Sequence, residues 1–245
     1  MKNVLFASAA LAVVALAAPA FAQDASGYVG ASYAKTDTDF GDADTWGLDG
    51  AVAFSATDKL GVQVDAGYAN TDVDGFDSSD AYNANVHLFT RNDAWAVGGF
   101  AGVTDAEDST TWNIGAEGAK YLDNVTLAGA VAYANNDDAD VDVWGIGGEA
   151  RYFVSDNFRL NGGLSYADAD VEKAWTVGLG GEYQFAATPV SLYAGYEHTK
   201  FDEADIDADK FTVGVRYNFG GQTLKGRDRS GASFNGAKTA FGGLF

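Results

Sequence analysis

The chain has 245 residues, no cysteine, two prolines, 31 glycines and 13% aromatic residues, and 35 Asp and Glu against 15 Lys and Arg give it a formal charge of −20. That balance excludes a nucleic-acid partner, whose phosphates it would repel. Without cysteine there is no disulfide framework, thiolate metal site or thiol nucleophile.

Residues 1–22 carry an export signal: Lys2, then an apolar run from Val4 to Ala18, then the small-x-small site Ala20-Phe21-Ala22. Cleavage is expected after Ala22, and the short run and Pro19 argue against an uncleaved anchor helix. Beyond it, no apolar run approaches the roughly 20 residues that a membrane helix needs.

From Gln23 onward the hydrophobic period is two. Trp46, Leu48, Gly50, Val52 and Phe54 alternate with small or polar residues, and Leu60, Val62, Val64, Ala66 and Tyr68 follow after a short turn. The pattern predicts twelve strands, at 26–35, 45–55, 60–70, 81–90, 94–104, 111–121, 125–135, 143–153, 158–167, 174–185, 190–199 and 210–220. Short turns alternate with long acidic loops.

Each strand after such a loop begins with an aromatic: Trp46, Tyr82, Trp112, Trp144, Trp175 and Phe211. Most strands entering the loops end in Tyr (Tyr33, Tyr68, Tyr133, Tyr166, Tyr196), the fifth strand being the exception. In a closed barrel these residues form a girdle at one membrane interface. Phe54, Phe89, Trp95, Tyr121, Tyr152, Phe158, Phe185 and Phe219 supply the opposite girdle beside the short turns. A soluble sandwich explains the alternation but not two belts, and hydrocarbon forbids open sheet edges. The fold class is therefore all-β: an antiparallel up-and-down transmembrane β-barrel with short periplasmic turns and long acidic extracellular loops.

The last strand, Thr212-Val-Gly-Val-Arg-Tyr-Asn-Phe219, resembles the closing-strand signal of Gram-negative outer-membrane barrels. The chain to Phe219 resembles barrels of the porin type through general features rather than a family-specific motif. The resemblance implies a cell outer membrane location, passive diffusion of small hydrophilic solutes and no cofactor. It also implies that the barrel-assembly machinery reads Thr212 to Phe219. The rival reading is a structural or adhesive surface barrel with a closed lumen.

The face opposite the lipid should line the lumen, with Asp49, Asp65, His87, Glu117, Glu149, Arg151, Arg159, Glu182, Glu197 and Arg216 as pore-lining residues. Small residues between them, such as Ala128, Ala130, Ala132 and Ala134, leave room for a narrow water-filled path. Carboxylates outnumber arginines in this set, which favours cations. Alternatively, pairs such as Glu149 with Arg151, or Glu182 with Arg159, plug the lumen. His87 and His198 are the only histidines, and no nucleophile is placed to use either, so no enzyme activity is expected.

In the acidic loops, Asp72-Val-Asp74-Gly75 resembles the start of a calcium loop, but Asn83 stands where a bidentate Glu is needed. Solvated charge is the expectation there. Lipopolysaccharide is the expected partner at this rim, with divalent cations as loose bridges.

The domain reading is a leader (1–22), a barrel (23–220) and a basic Gly/Ser-rich periplasmic tail (221–245). The tail carries Lys225, Arg227, Arg229 and Lys238 against Asp228. It either stays in the periplasm or enters the acidic lumen from below. A further alternative makes Thr239, Phe241, Gly243 and Phe245 the true closing strand.

Overall fold

The computed structural model describes residues 25–242 apart from 74, 107–108, 137, 171 and 221–222, so the leader and Phe245 lie outside it. The chain forms β1 (Ser26–Thr38), β2 (Gly41–Ser55), β3 (Gly61–Val73), β4 (Ser79–Arg91), β5 (Trp95–Ala106) and β6 (Ser109–Tyr121). It continues with β7 (Val125–Asn136), β8 (Val141–Ser155), β9 (Phe158–Ala169), β10 (Glu172–Gln184), β11 (Val190–Phe201) and β12 (Ile206–Phe219). Each strand pairs antiparallel with its neighbours, and β12 closes on β1 from Gly27↔Phe219 to Thr38↔Ala208. Closure leaves no strand edge, the condition for crossing hydrocarbon.

Alternation decides the two faces. Leu48, Val86, Ile114, Val131, Ile146, Leu164, Leu179, Leu192 and Val215 all expose their side chains on the outer surface. An aliphatic band around the whole barrel is a surface that lipid, not water, covers.

The loop-side girdle is locked by register. Tyr33 opposes Trp46, Tyr68 opposes Tyr82, Tyr133 opposes Trp144, Tyr166 opposes Trp175 and Tyr196 opposes Phe211. The five ring pairs have centroids 4.5 to 5.1 Å apart. Directly opposed rings stabilise a strand pair by roughly 0.2–1 kcal/mol each. Where β5 lacks the Tyr, Val103 opposes Trp112, and that indole packs on Tyr133 at 5.4 Å.

Pairing continues past this girdle into stretches expected as loops, and β1 and β2 are separated only by Asp39 and Phe40. The lipid-facing alternation stops at the membrane interface, but a backbone ladder needs only extended chain. Many of the acids therefore stand on strand extensions. Asp72, the first acid of the stretch that resembles the start of a calcium loop, opposes Asp44 in the β2–β3 ladder. Asp37 opposes Asp42, a repulsive pair that Lys35 offsets with its Nζ 3.5 and 2.8 Å from the two carboxylates.

The turn-side girdle needs two corrections. Phe89 and Tyr121 share the inward parity of His87 and Glu117 and are buried inside the barrel. Phe89 packs on Phe234 of the tail at 4.8 Å.

The tail expected in the periplasm is inside the lumen over residues 223–242. Gly220, at a φ of 93°, turns the chain inward, where a Cβ would meet Ala25 O and Ser26 Cα at 2.8 Å. Two short helices follow, α1 (Leu224–Ser230) and α2 (Gly236–Phe241). Helix α2 lies against β6, β7, β8 and β9, with Ala240 and Phe241 buried on Ala130, Ala132, Ala134 and Ala167. Those small wall residues make room, and the tail occupies it. Since Thr239 to Phe241 are helical, that part of the alternative closing strand is not a strand.

Candidate functional site in the barrel lumen

All ten expected pore-lining residues project inward, because each has the parity opposite the aliphatic band. They form four linked groups.

The first is centred on His87. Its Nε2 is 2.6 Å from Asp65 Oδ1 and its Nδ1 is 2.6 Å from Glu117 Oε1. Nothing on its own strand orients it; the carboxylates come from β3 and β6. Glu117 spans β5 at Gly98, where no side chain stands between them. The Asp65 carboxylate also accepts from Gln63 at 3.1 Å and Asn85 at 3.0 Å.

The second joins Arg151 to Glu149 at 2.9 Å and to Asp228 of α1 at 2.8 Å, with Thr126 donating to Asp228 at 2.6 Å. In the third, Glu182 collects Arg159 at 2.9 Å, Arg216 at 3.3 Å and Arg227 of α1 at 3.2 Å, and accepts from Ser191 at 2.7 Å. Arg216 continues to Asp49 at 3.2 Å. In the fourth, Glu197 faces Lys210 at 3.7 Å and Lys238 of α2 at 3.2 Å. Both wall pairs that the sequence offers as the alternative to an open lumen, Glu149–Arg151 and Arg159–Glu182, are formed.

Three elements escaped the sequence reading. Lys210 and Arg91 share the inward parity of Arg216 and His87, a signal available from their strands. The third is the tail's backbone, which Gln63 holds at both ends of its amide: it accepts from Ser233 and Phe234 N–H at 3.0 and 3.1 Å and donates to Phe234 O at 2.7 Å. With Lys210, Arg91 and the tail included, the lumen's charges are close to balance.

The two ends of the lumen differ. At the turn end, Ser26, Thr126, Ser191, Asn218, Leu224, Arg227 and Asp228 are all buried, so tail and wall fill the section. A cavity of about 490 Å³ lies beside the tail, reaching from Tyr28 to Thr45 and Thr104, just inside the outer girdle. Its lining mixes small and apolar residues such as Ala66, Gly163 and Leu179 with Asp49, Asn83, Asn161, Glu197 and Lys238.

The six girdle residues lie on the outside. Trp46, Trp144 and Phe211 are 64%, 65% and 58% exposed, Trp112 and Trp175 are exposed as well, and Tyr82 packs on Tyr68. Just beyond the girdle, Tyr hydroxyls donate to carboxylates: Tyr33 to Asp44 at 2.5 Å, Tyr68 to Asp80 at 2.8 Å, Tyr133 to Asp142 at 2.5 Å and Tyr196 to Asp209 at 2.5 Å. His198 is also here, 2.9 Å from Asp209 on the outer surface. Farther out, Glu172 of β10 accepts from the backbone N–H groups of Glu203 and Ala204 at 2.7 and 2.9 Å. Those N–H groups, Glu203's above all, hold its carboxyl below the usual glutamate range.

A closed antiparallel barrel of twelve strands with an aliphatic belt, an aromatic girdle and a lumen lined by charged side chains defines an outer-membrane barrel of the porin type. Residues 8–169 match the model of the outer membrane protein beta-barrel domain, and the chain belongs to that family. Residues 116–224 also match the Gram-negative porin model. No curated protein sequence matches the chain. Among solved structures, it is similar to the KdgM porin in complex with disordered oligogalacturonate, at 12% identity and a TM-score of 0.53, over 78% of this chain and 99% of that one. The translocator domain of the autotransporter NalP from Neisseria meningitidis gives 12% and 0.55, over 89% and 100%. The beta domain of the Bordetella autotransporter Brka gives 12% and 0.53, over 80% and 100%. At these identities the likeness is one of fold.

Proposed function

We propose that the protein is an outer-membrane channel for passive diffusion of small hydrophilic solutes, with a preference for cations. The observation that supports it is the cavity of about 490 Å³ in the lumen beneath the outer girdle, into which charged and amide side chains such as Asp49, Asn83, Asn161 and Glu197 project. The KdgM porin was solved with oligogalacturonate; here the wall mixes acids and bases, and the proposal stops at hydrophilic solutes. The nearly balanced lumen contributes little selectivity, so the cation preference rests on the acidic rim, whose field concentrates cations at the mouth. No catalytic role is assigned to His87, whose partners are carboxylates, nor to His198, beside Asp209.

Export by the 1–22 leader, recognition of Thr212 to Phe219 by the assembly machinery and cation-bridged contact of the rim with lipopolysaccharide complete the proposal. Planar-bilayer recording tests it: defined current steps are expected, and their absence at every voltage would leave the structural or adhesive barrel. That second reading draws on the tail-filled turn end of the lumen.

A further inference from the structure

We infer that residues 223–242 form a removable plug, which blocks the turn end of the lumen when docked and leaves to let solute through. This rests on the channel reading.

The evidence is how the wall is wired around the tail. Each charged wall group that holds a charged tail side chain also has a partner on the wall. Glu182, gripped by Arg227, keeps Arg159 at 2.9 Å and Arg216 at 3.3 Å. Arg151, gripped by Asp228, keeps Glu149 at 2.9 Å. Glu197, gripped by Lys238, keeps Lys210 at 3.7 Å. A segment built in permanently would be expected to carry partners on which wall charges depend, because an unpaired buried charge is costly. Here, when the tail leaves, no charge of these three groups is stranded on the wall; Arg91 is the wall charge that gives up tail bonds, to Gly231 O and Ser233 Oγ, and it keeps the Phe89 ring of the wall at 4.7 Å. The strand ladder is complete without the tail, from β1 round to β12 and back. The tail's own charges pass to water at the turn end, where Arg229 already binds the Leu122 and Asp123 carbonyls of a turn.

Holding the tail still, and crowding it out, test this in the full chain. An ideal Cβ on Gly231 lies 2.9 Å from Ser26 Cβ, and a disulfide asks for roughly 3.5–4.5 Å, so a small relaxation admits one. The chain has no cysteine of its own to interfere. In planar bilayers, the Ser26→Cys, Gly231→Cys protein should conduct poorly when oxidised and several-fold more after reduction, while wild type ignores the reductant. Equal currents in both states, with wild type conducting, overturn the plug and leave the channel. No current from any form overturns the channel reading and the plug with it.

Should the cysteine pair not cross-link, Gly147→Leu serves. A Cβ there would fall 1.8 Å from Thr239 O, in the space of α2. The plug requires this variant to conduct more than wild type, and an unchanged current refutes it.

Discussion

Asp228 Oδ1 lies 2.8 Å from Arg151 Nη1, 77 residues away in sequence. It is the only acidic residue of the tail, and it binds a base of the wall. Its neighbour Arg227 binds the acid Glu182 at 3.2 Å. Two consecutive tail residues of opposite sign thus meet wall partners of opposite sign. Docking is therefore specified in register, rather than by a general attraction of a basic tail to an acidic tube.

Glu182 is the point where this register is most exposed to mutation. In Glu182→Gln, Arg159, Arg216 and Arg227 lose their shared carboxylate, and uncompensated buried charge costs about 3–5 kcal/mol. Arg216 keeps Asp49, and Arg227 can leave with the tail. The expected result is a tail cleaved more readily by protease from the turn side, with the barrel's heat-induced unfolding in SDS shifted to lower temperature. An undisturbed tail would show that α1 is held by its apolar contacts instead.

How much of this was legible in the sequence follows from what each pattern encodes. Strand count, face and girdle come from a period of two, which lipid on one side enforces. The ten lumen residues came from the same parity. Phe89 and Tyr121 were misassigned because an aromatic near a turn looks the same whether it meets lipid or a tail ring. The Asp65–His87–Glu117 group joins three strands, and only register brings it together. The tail's glycines and charges point to a solvated segment, and Phe241 enters the sequence reading only as part of an alternative closing strand; Leu224, Phe234 and Phe241, all buried, are what pack it inside.

Cation preference should come from the rim and not the lumen. In a KCl gradient the reversal potential is expected to favour K⁺, and to do so less as salt rises, since the Debye length shrinks to about 3 Å at 1 M. Neutralising the outward acids Asp42, Asp44, Asp207 and Asp209 to Asn should weaken it. Neutralising Glu149 should change it little, because Arg151 already offsets that charge at 2.9 Å. The reverse ranking would move the selectivity into the lumen.

The contact between Glu172 and the segment after β11 should respond to acid. Backbone N–H donors lower the Glu172 pKa, so the clasp is fully present above the ordinary glutamate range and is lost as pH falls through the lowered value. Amide exchange at Glu203 and Ala204, corrected for the intrinsic effect of pH, should rise in that window. In Glu172→Gln the window should disappear. Protection independent of pH in the native protein would mean that these amides are held by something other than this carboxylate.

Assembly should not need the tail. β12 is paired on both sides, with β11 from Val190↔Tyr217 onward and with β1 from Gly27↔Phe219 onward. The tail adds packing inside a ring already closed, chiefly through Leu224, Phe234 and Phe241. Fully burying such a side chain is worth roughly 1.5–3 kcal/mol, so a chain ending at Gly220 should fold in detergent as a heat-modifiable barrel with a lowered unfolding temperature. In cells the same chain should reach the outer membrane, because Thr212 to Phe219 is intact. The two settings separate two questions, since folding in detergent reports strand pairing and assembly in cells reports the signal. A shortened chain that folds in detergent but stalls in cells would place the signal beyond Gly220, in the segment that runs to Phe245. One that fails in both would make the tail part of the folding core, held there by Phe234 on Phe89 and Phe241 on the wall alanines.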